Sequence, residues 1–258
     1  MRLATWNVNS ARTRIDRIVG VLDRHDLDVL AIQEIKCRDD QFPAEPLEKA
    51  GYEVATWGIN QWNGVAIISR VGIEDVSRGF PGQPRFKDVL EPRALGATCG
   101  GVRVWSLYVP HGRGLDNPHM AYKLEWLRVL RDDCAGWLAD DPDLPLALVG
   151  DFNVAPLDTD VWDIAEFEGA THVSAPERAA FAAFEDAGLR EVTRNLAEGY
   201  TYWDYQKLRF PRNQGMRIDF AYASPALARR VDAVTIDRDE RKGKGASDHV
   251  PVICDIRD

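Results

Sequence analysis

The pattern of this chain predicts an α/β fold, and three observations carry that prediction. Short apolar runs such as Leu27–Gln33 and Leu144–Val149, each stopped by a glycine or a polar residue, read as buried strands. Between them lie stretches of helical periodicity: Ile15, Ile18, Val19 and Leu22 after the first strand, then Leu124, Leu127, Leu130, Cys134 and Leu138 before Leu144. This alternation runs through both halves with no linker, low-complexity segment or solenoid repeat. One α/β domain spanning 1–258, with a sizeable sheet system, is therefore expected.

Taken in order, residues 2–8 read as a strand and 10–25 as a helix with Ser10 as its candidate cap. Leu27 to Gln33 follows as a strand, with Glu34 directly after it. Pro43 and Pro46 mark a loop, with room for a short helix, and Tyr52–Trp57 and Val65–Ser69 are strands meeting across a polar connection. Ala94–Cys99 and Val102–Val109 flank Gly100-Gly101, a hairpin signal. A long helix covers about 118–139 and leads into the Leu144 strand. Ser174-Ala175-Pro176-Glu177 is a capping box with proline in the first turn, opening a helix that carries Phe181 and Phe184. Tyr200–Trp203, Arg217–Tyr222, Val231–Ile236 and Val250–Ile256 complete the expected strands.

Composition narrows the function classes. The 258 residues are 45% hydrophobic and 28% charged, ordinary for a soluble globular protein. No apolar run of about 18 residues predicts a membrane span, and Met1–Trp6 passes into polar residues without a signal-peptide core. Cys37, Cys99, Cys134 and Cys254 are scattered, which argues against a disulfide framework or zinc site and fits a reducing cytoplasm. The net charge of −9 opposes long-range attraction of a polyanion. A metal-dependent enzyme nevertheless gathers carboxylates in its site, and a bound cation reverses the local field.

The chemistry sits just past the apolar strands. Asp151 and Asn153, two apart in an extended stretch, point the same way. Asn7, Glu34, Tyr108, Asp219 and Asp248-His249 occupy similar places. Each alone has a plain explanation as a loop charge, packing residue or capped turn. Eight such residues from six segments read together as a site. Acids with amides and no cysteine suit a hard divalent cation such as Mg2+ or Mn2+. A histidine, free carboxylates and a metal suit hydrolysis of a phosphodiester. No nucleophile elbow and no phosphate-binding glycine loop is present. From 200 to 217, Tyr200, Tyr202, Trp203, Tyr205 and Phe210 are interleaved with Lys207, Arg209, Arg212 and Arg217, a composition that serves base stacking and phosphate binding, or an ordinary amphipathic wall.

These residues also carry a resemblance. Trp6-Asn7-Val8-Asn9, Gln33-Glu34-Ile35-Lys36, Tyr108-Val109-Pro110-His111-Gly112-Arg113, Gly150-Asp151-Phe152-Asn153, Asn213-Gln214-Gly215-Met216-Arg217-Ile218-Asp219 and Ser247-Asp248-His249 resemble the ordered motifs of the exonuclease III family of apurinic/apyrimidinic endonucleases, within the endonuclease/exonuclease/phosphatase superfamily. The resemblance runs from residue 2 to about 256. It implies a four-layered α/β sandwich, two mixed sheets face to face with helices outside. It implies Glu34 as metal ligand, with Asn9 or Asp248 nearby and Asn7, Asp151 and Asn153 around the ion. Asp151 would take the proton of the attacking water, and Asn153 and Asn7 would hold phosphate and nucleophile. His249, oriented by Asp219, and Tyr108 would contact the phosphate.

The same resemblance implies that Lys36, His111, Arg113, Tyr202, Trp203, Asn213 and Met216 face DNA, with Tyr202, Trp203 and Met216 walling a pocket for a base-free sugar. The Arg241-Lys242-Gly243-Lys244 run is either a solvated loop or a backbone contact. Departures from the family's pattern are His111 in place of a common Asn, Pro92 where Gly is frequent, and Met216 at a Trp or Leu position. The implied activity is metal-dependent cleavage of duplex DNA 5′ to abasic sites, with processing of 3′ ends, by a monomer without membrane association. Phospholipid or inositol-phosphate hydrolysis on the same superfamily scaffold is one alternative. A DNA-binding scaffold without catalysis is the other.

Overall fold

The computed structural model describes residues 1–257. The strands are β1 (Arg2–Asn7), β2 (Val29–Gln33), β3 (Glu53–Trp57), β4 (Val65–Ser69), β5 (Glu74–Arg78), β6 (Ala94–Cys99), β7 (Val102–Tyr108), β8 (Leu146–Asp151), β9 (Arg190–Glu191), β10 (Asp219–Ala223), β11 (Val231–Ile236) and β12 (Val252–Ile256). The helices are α1 (Ala11–Arg24), α2 (Glu45–Lys49), α3 (Pro118–Asp140), α4 (Ala175–Asp186) and α5 (Pro225–Ala228), with short 3-10 turns between elements. One six-stranded sheet runs β11-β12-β1-β2-β4-β3 and the other β5-β6-β7-β8-β10-β9. Each is mixed, with a single parallel pair: β1 with β2 in the first and β7 with β8 in the second. Each parallel pair is joined by its longest available helix, α1 or α3, as a parallel connection requires.

Side-chain alternation along the strands builds the layers. Leu3, Ala31, Ile67, Ala97, Val104, Ala147, Val149, Ala221 and Val252 face inward and form one core between the sheets. The opposite faces are covered separately. Ile18, Val21 and Leu22 of α1 pack on Ala4, Trp6, Leu30 and Ile32. Trp126, Leu127 and Leu130 of α3, with Phe181 and Phe184 of α4, pack on Trp105, Leu107 and Leu148. The result is helix, sheet, sheet, helix, as expected from the resemblance. Buried polar ties cross between the sheets: Gln33 Nε2 donates to Ser106 Oγ at 3.0 Å, and Ser106 Oγ donates to the Ile32 carbonyl at 3.0 Å.

The structure corrects several sequence expectations. Tyr200–Trp203 is not a strand: only isolated bridges from Tyr202 to Met216 and His249 form there, because Gly199 and Asp204 bound too short an extended run. Strands β5 and β9 and helix α5 were not anticipated; β5 is largely exposed and lacks an apolar stripe, and β9 is two residues long. Ser10 precedes α1 without a side-chain cap, and its N–H goes instead to the Glu34 carbonyl at 2.7 Å. The Ser174 capping box of α4 forms as predicted. Pro92 leaves β6 intact, which starts two residues later, and its carbonyl accepts from Gly64 N–H at 3.1 Å. The four cysteines are buried and free. Among the described residues, no helix is long and apolar enough to cross a membrane.

Candidate active site

The register places the polar strand ends side by side. Asn7 lies opposite Gln33, so Glu34 emerges beside it from β2. Tyr108 lies opposite Asp151 across the β7–β8 pair, and Asp151 lies opposite Asp219 across β8–β10. Gly150 is demanded by this geometry, because a Cβ there would collide with the Leu107 carbonyl of the parallel neighbour. Three of the residues that follow the strands, Asn9 (φ 44°), Glu34 (φ 52°) and Asn153 (φ 51°), adopt left-handed backbone. Such conformations are costly for residues with a Cβ and gather at functional sites. The Ser247–His249 segment is sewn on by Ser247 Oγ donating to Asn7 O at 2.7 Å and by Trp6 Nε1 donating to His249 O at 3.0 Å.

Asn7 is the bridge between the carboxylates. Its amide donates to Glu34 Oε1 at 2.8 Å and to Asp151 Oδ2 at 3.0 Å, while its oxygen accepts from Asn9 N–H at 3.0 Å. His249 sits between two acids, with Nδ1 2.8 Å from Asp219 Oδ2 and Nε2 3.8 Å from Asp151 Oδ2. Burial opposes its charge, but Asp219 and Asp151 outweigh it and raise its pKa to about 10, so the ring is an imidazolium. Burial lifts Asp151 to about 7; Asp219 and Glu34 add to that rise and His249 opposes it. Burial also works against the Glu34 carboxylate, yet Lys36 and Asn7 hold its pKa below the ordinary value. Tyr108 is pushed well above its usual pKa by burial and by the nearby acids Glu34 and Asp151, so it keeps its proton. The guanidinium of buried Arg93 stacks 4.7 Å from its ring centroid.

The fit of a hard cation rests on the donor set. Among the described residues, the side-chain ion pairs of Glu34, Asp151 and Asp219 are with Lys36 and His249 alone, and Asp219 Oδ1 is buried with no hydrogen-bond partner. Lys36 Nζ lies 2.7 Å from Glu34 Oε2 and 2.5 Å from Asn9 Oδ1, a pair of oxygens already gathered around a positive charge. Hard oxygen donors with excess negative charge fit Mg2+ or Mn2+. Asp151, Asp219 and His249 also bring ligand atoms within 4.8 Å of one another. Of the two groups, the Glu34 side offers oxygen donors alone, which suit a hard cation better.

The arrangement distributes the expected metal set unevenly. The Asn7 oxygen is turned to Asn9 N–H and the Asn153 oxygen to His172 Nε2 at 3.1 Å, so neither faces the Glu34 cradle. Asn9 and Asp248 are joined, Asn9 Nδ2 donating to Asp248 Oδ1 at 3.1 Å, near Glu34 through Lys36. Lys36, expected to face DNA, is instead bound to Glu34 and Asn9.

The expected DNA-facing residues divide. His111 and Arg113 are exposed beside the site. Tyr202 is half-buried with its ring 4.9 Å from that of His249. With Met216, Trp162, Phe167 and Arg209 it lines a cavity of about 170 Å³. Trp203 is 1% exposed and packs against Phe210 and Tyr200, so it braces this wall from behind, and with Tyr200, Asn213, Arg217 and Arg238 it lines a separate cleft of about 510 Å³. Asn213 is exposed and accepts from Arg238 at 3.4 Å. Arg241 turns inward to the Trp203 carbonyl, 3.1 Å away, and Lys242 pairs with Asp239, so the basic run is only partly free. A larger cleft, about 530 Å³ and lined by Trp105 and Trp137, contains none of the clustered carboxylates.

Three site-supporting residues escaped sequence reasoning. Lys123 of α3 and Glu177 of α4 form a wholly buried pair at 2.5 Å. Lys123 Nζ also donates to the carbonyls of Asn153 (2.5 Å) and His111 (3.4 Å), and Glu177 Oε1 accepts from His172 N–H at 2.9 Å. Lys123 shares a helical stripe with Leu127, Leu130 and Cys134, so a cation at buried spacing was the available signal. His172 has no such signal.

A model of the Endonuclease/Exonuclease/phosphatase family matches residues 4–249. An exodeoxyribonuclease III from Haemophilus influenzae is 28% identical over 271 residues, covering 100% of both chains. Among solved structures, the 3′-5′ exonuclease NExo of Neisseria meningitidis superposes with a TM-score of 0.93 at 35% identity, covering 100% of both chains. An AP endonuclease from Archaeoglobus fulgidus superposes with a TM-score of 0.92 at 32% identity, covering 99% of both.

Proposed function

This chain belongs to the endonuclease/exonuclease/phosphatase family and is a hydrolase of the apurinic/apyrimidinic endonuclease type, and from that premise we propose that it cuts duplex DNA 5′ to abasic sites with a divalent cation. Processing of 3′ ends is part of the same proposal. The observation that carries it is the hydrogen-bonded chain Glu34–Asn7–Asp151, continued through His249 to Asp219, beside a small cavity walled by Tyr202 and Met216. Both sheets furnish this chain, which supports reading 1–258 as one catalytic domain whose site is complete within a single copy; we expect a monomer.

Asp151 takes a proton from water, a role suited to a carboxylate whose pKa lies near neutrality. The water oxygen bonds to phosphorus as the bond from phosphorus to the 3′ oxygen breaks, and that oxygen takes a proton from solvent to leave as a 3′-hydroxyl. His249, held charged by Asp219, stabilises the phosphate oxygens. Tyr108 retains its proton and donates a hydrogen bond to the phosphate. Mg2+ or Mn2+ held by Glu34, with Asp248 and Asn9 at its flank, would supply charge neutralisation on the phosphate and the departing oxygen. Tyr202 and Met216 would receive the base-free sugar. An abasic nucleotide enters such a cavity without the cost of unstacking a base.

The test is a 5′-labelled duplex with one abasic-site analogue, incubated with Mg2+ or with chelator, beside an undamaged duplex with a recessed 3′ end. Metal-dependent cutting at the lesion, lost in Asp151→Asn, is expected. Shortening of the undamaged duplex without lesion cutting would replace the endonuclease reading by an exonuclease one. Binding without cleavage under any metal would overturn catalysis altogether. No action on DNA, with hydrolysis of an inositol phosphate or lipid headgroup, would move the substrate class.

A further inference from the structure

The Asn153 side chain links the carboxylate cluster to partners outside it. Its Nδ2 donates to the Val109 carbonyl at 2.9 Å and lies 3.3 Å from Asp151 Oδ2. A carbonyl only accepts, so the amide nitrogen must face Val109 and the amide oxygen must face His172 Nε2, 3.1 Å away. That oxygen in turn accepts only, so His172 must carry its hydrogen on Nε2. Its Nδ1 is then the acceptor for the Thr171 hydroxyl at 2.8 Å. The chain of donors Thr171, His172, Asn153, Asp151 thus runs in one direction.

We propose that His172 is a positioning residue for the hydrolysis: its Nε2–H fixes the Asn153 amide so that the NH2 group holds Asp151 in place. The inference rests on the reading that Asp151 acts on the attacking water. Three features set His172 apart from an ordinary buried histidine. It is 6% exposed, yet both ring nitrogens are satisfied. Its own N–H is anchored to Glu177, whose partner Lys123 holds the Asn153 backbone carbonyl, so the ring and its target are fixed to one ion pair. The His111 ring packs edge-on against it, 4.6 Å between centroids, closing the side towards solvent. Without the His172 donor, rotation of the Asn153 amide would present an oxygen to the Asp151 carboxylate, a repulsive contact at the base itself.

The experiment combines one spectroscopic and one kinetic measurement. In ¹⁵N-histidine-labelled wild-type protein near pH 7, His172 is expected as the neutral Nε2–H tautomer, and the Nδ1–H tautomer overturns the proposal. His172→Leu is expected to lower kcat by about 10- to 100-fold with KM changed less than about threefold, the scale of a small misplacement in an aligned site. His172→Gln, which restores an amide donor, is expected to recover most of that loss. In an Asn153→Ala background, His172→Leu is expected to change kcat less than about twofold, because the two act as one unit. Undiminished kcat in a folded His172→Leu, or equal losses in the Leu and Gln variants, overturns the proposal. Should His172→Leu fail to fold, the tautomer and the Gln variant decide. Failure of the wild-type enzyme to cut DNA would refute the proposed substrate, whereas the tautomer is read without any substrate.

Discussion

Lys123→Met is the most exacting test of how the site is held. Lys123 and Glu177 are both wholly buried, and the substitution leaves a carboxylate in the interior without its counter-charge. Breaking such a pair costs about 3–5 kcal/mol. Here the lower end applies, because Glu177 keeps neutral donors: Ser174 Oγ at 2.6 Å, Ser174 N–H at 3.2 Å and His172 N–H at 2.9 Å. Loss of the ammonium also strips the Asn153 carbonyl of its 2.5 Å donor, which works in the other direction. A net loss of about 3 kcal/mol follows, or a fall in Tm on the order of 10 °C for a protein of this size. Urea unfolding at neutral pH, followed by tryptophan fluorescence, measures it. Lys123→Met combined with Glu177→Gln removes the stranded charge and keeps a residue able to complete the Ser174 capping box. The double variant is therefore expected to recover at least half of the loss. A cost below about 1 kcal/mol for Lys123→Met alone, or a double variant no better than the single, would refute the reasoning.

Other consequences are equally measurable. Burial, together with Arg93 and Arg113, holds buried His119 neutral and lowers its pKa to about 3. The unfolded chain therefore binds a proton below pH 6.5 that the folded protein refuses. Stability contributed by the neutral ring is intact above that value and is lost as pH falls from 6.5 towards 3, by up to about 2 kcal/mol between pH 6.5 and 5. His119→Asn, whose oxygen can still accept from Gly112 N–H, is expected to flatten that slope in urea titrations at the two pH values. Trp203→Ala is expected to cost about 3–5 kcal/mol in the same assay, as for a buried aromatic. Tyr202→Ala, at the half-buried wall, is expected to spare stability and to reduce discrimination between abasic and intact duplex. Glu34→Gln is expected to weaken Mn2+ binding, read by calorimetry without DNA, by about tenfold or more; unchanged affinity would place the cation elsewhere in the cluster.

Much of the fold was legible because its main strands are apolar and its two long helices are periodic. Val29–Gln33, Val65–Ser69 and Leu146–Asp151 are buried along their entire length, and such runs have few other readings. Glu74–Arg78 was illegible because pairing along an exposed sheet edge leaves no apolar trace. In the site, Glu34, Asp151, Asp219 and His249 stood out as polar residues terminating or following apolar strands. His172 did not, because it lies in an irregular loop and reaches Asn153 only through the tertiary packing of α4 against α3. Likewise, Trp203 and Tyr202 are adjacent aromatics in sequence, and only the bridges of Tyr202 to Met216 and His249 decide which of them looks outward.

The strand orders of the two sheets carry a consequence of another kind. Reading outward from each parallel pair, β12-β1-β2-β4-β3 and β6-β7-β8-β10-β9 correspond strand for strand, with α1 and α3 as equivalent crossovers. Asn7 and Tyr108 then occupy matching strand ends, as do Gln33 (with Glu34 just beyond) and Asp151. The molecule is thus topologically a pair of like units whose equivalent corners meet, each holding different chemistry. The units are not separable lengths of chain, since β11 and β12, which complete the first, are made after the whole of the second. A fragment ending before residue 231 would carry Glu34 and Asp151 but leave one edge of β1 bare. Severing the polypeptide between the two sheets and recombining the pieces should restore activity only when the β11–β12 ribbon closes over β1, as a clasp closes a folded strap.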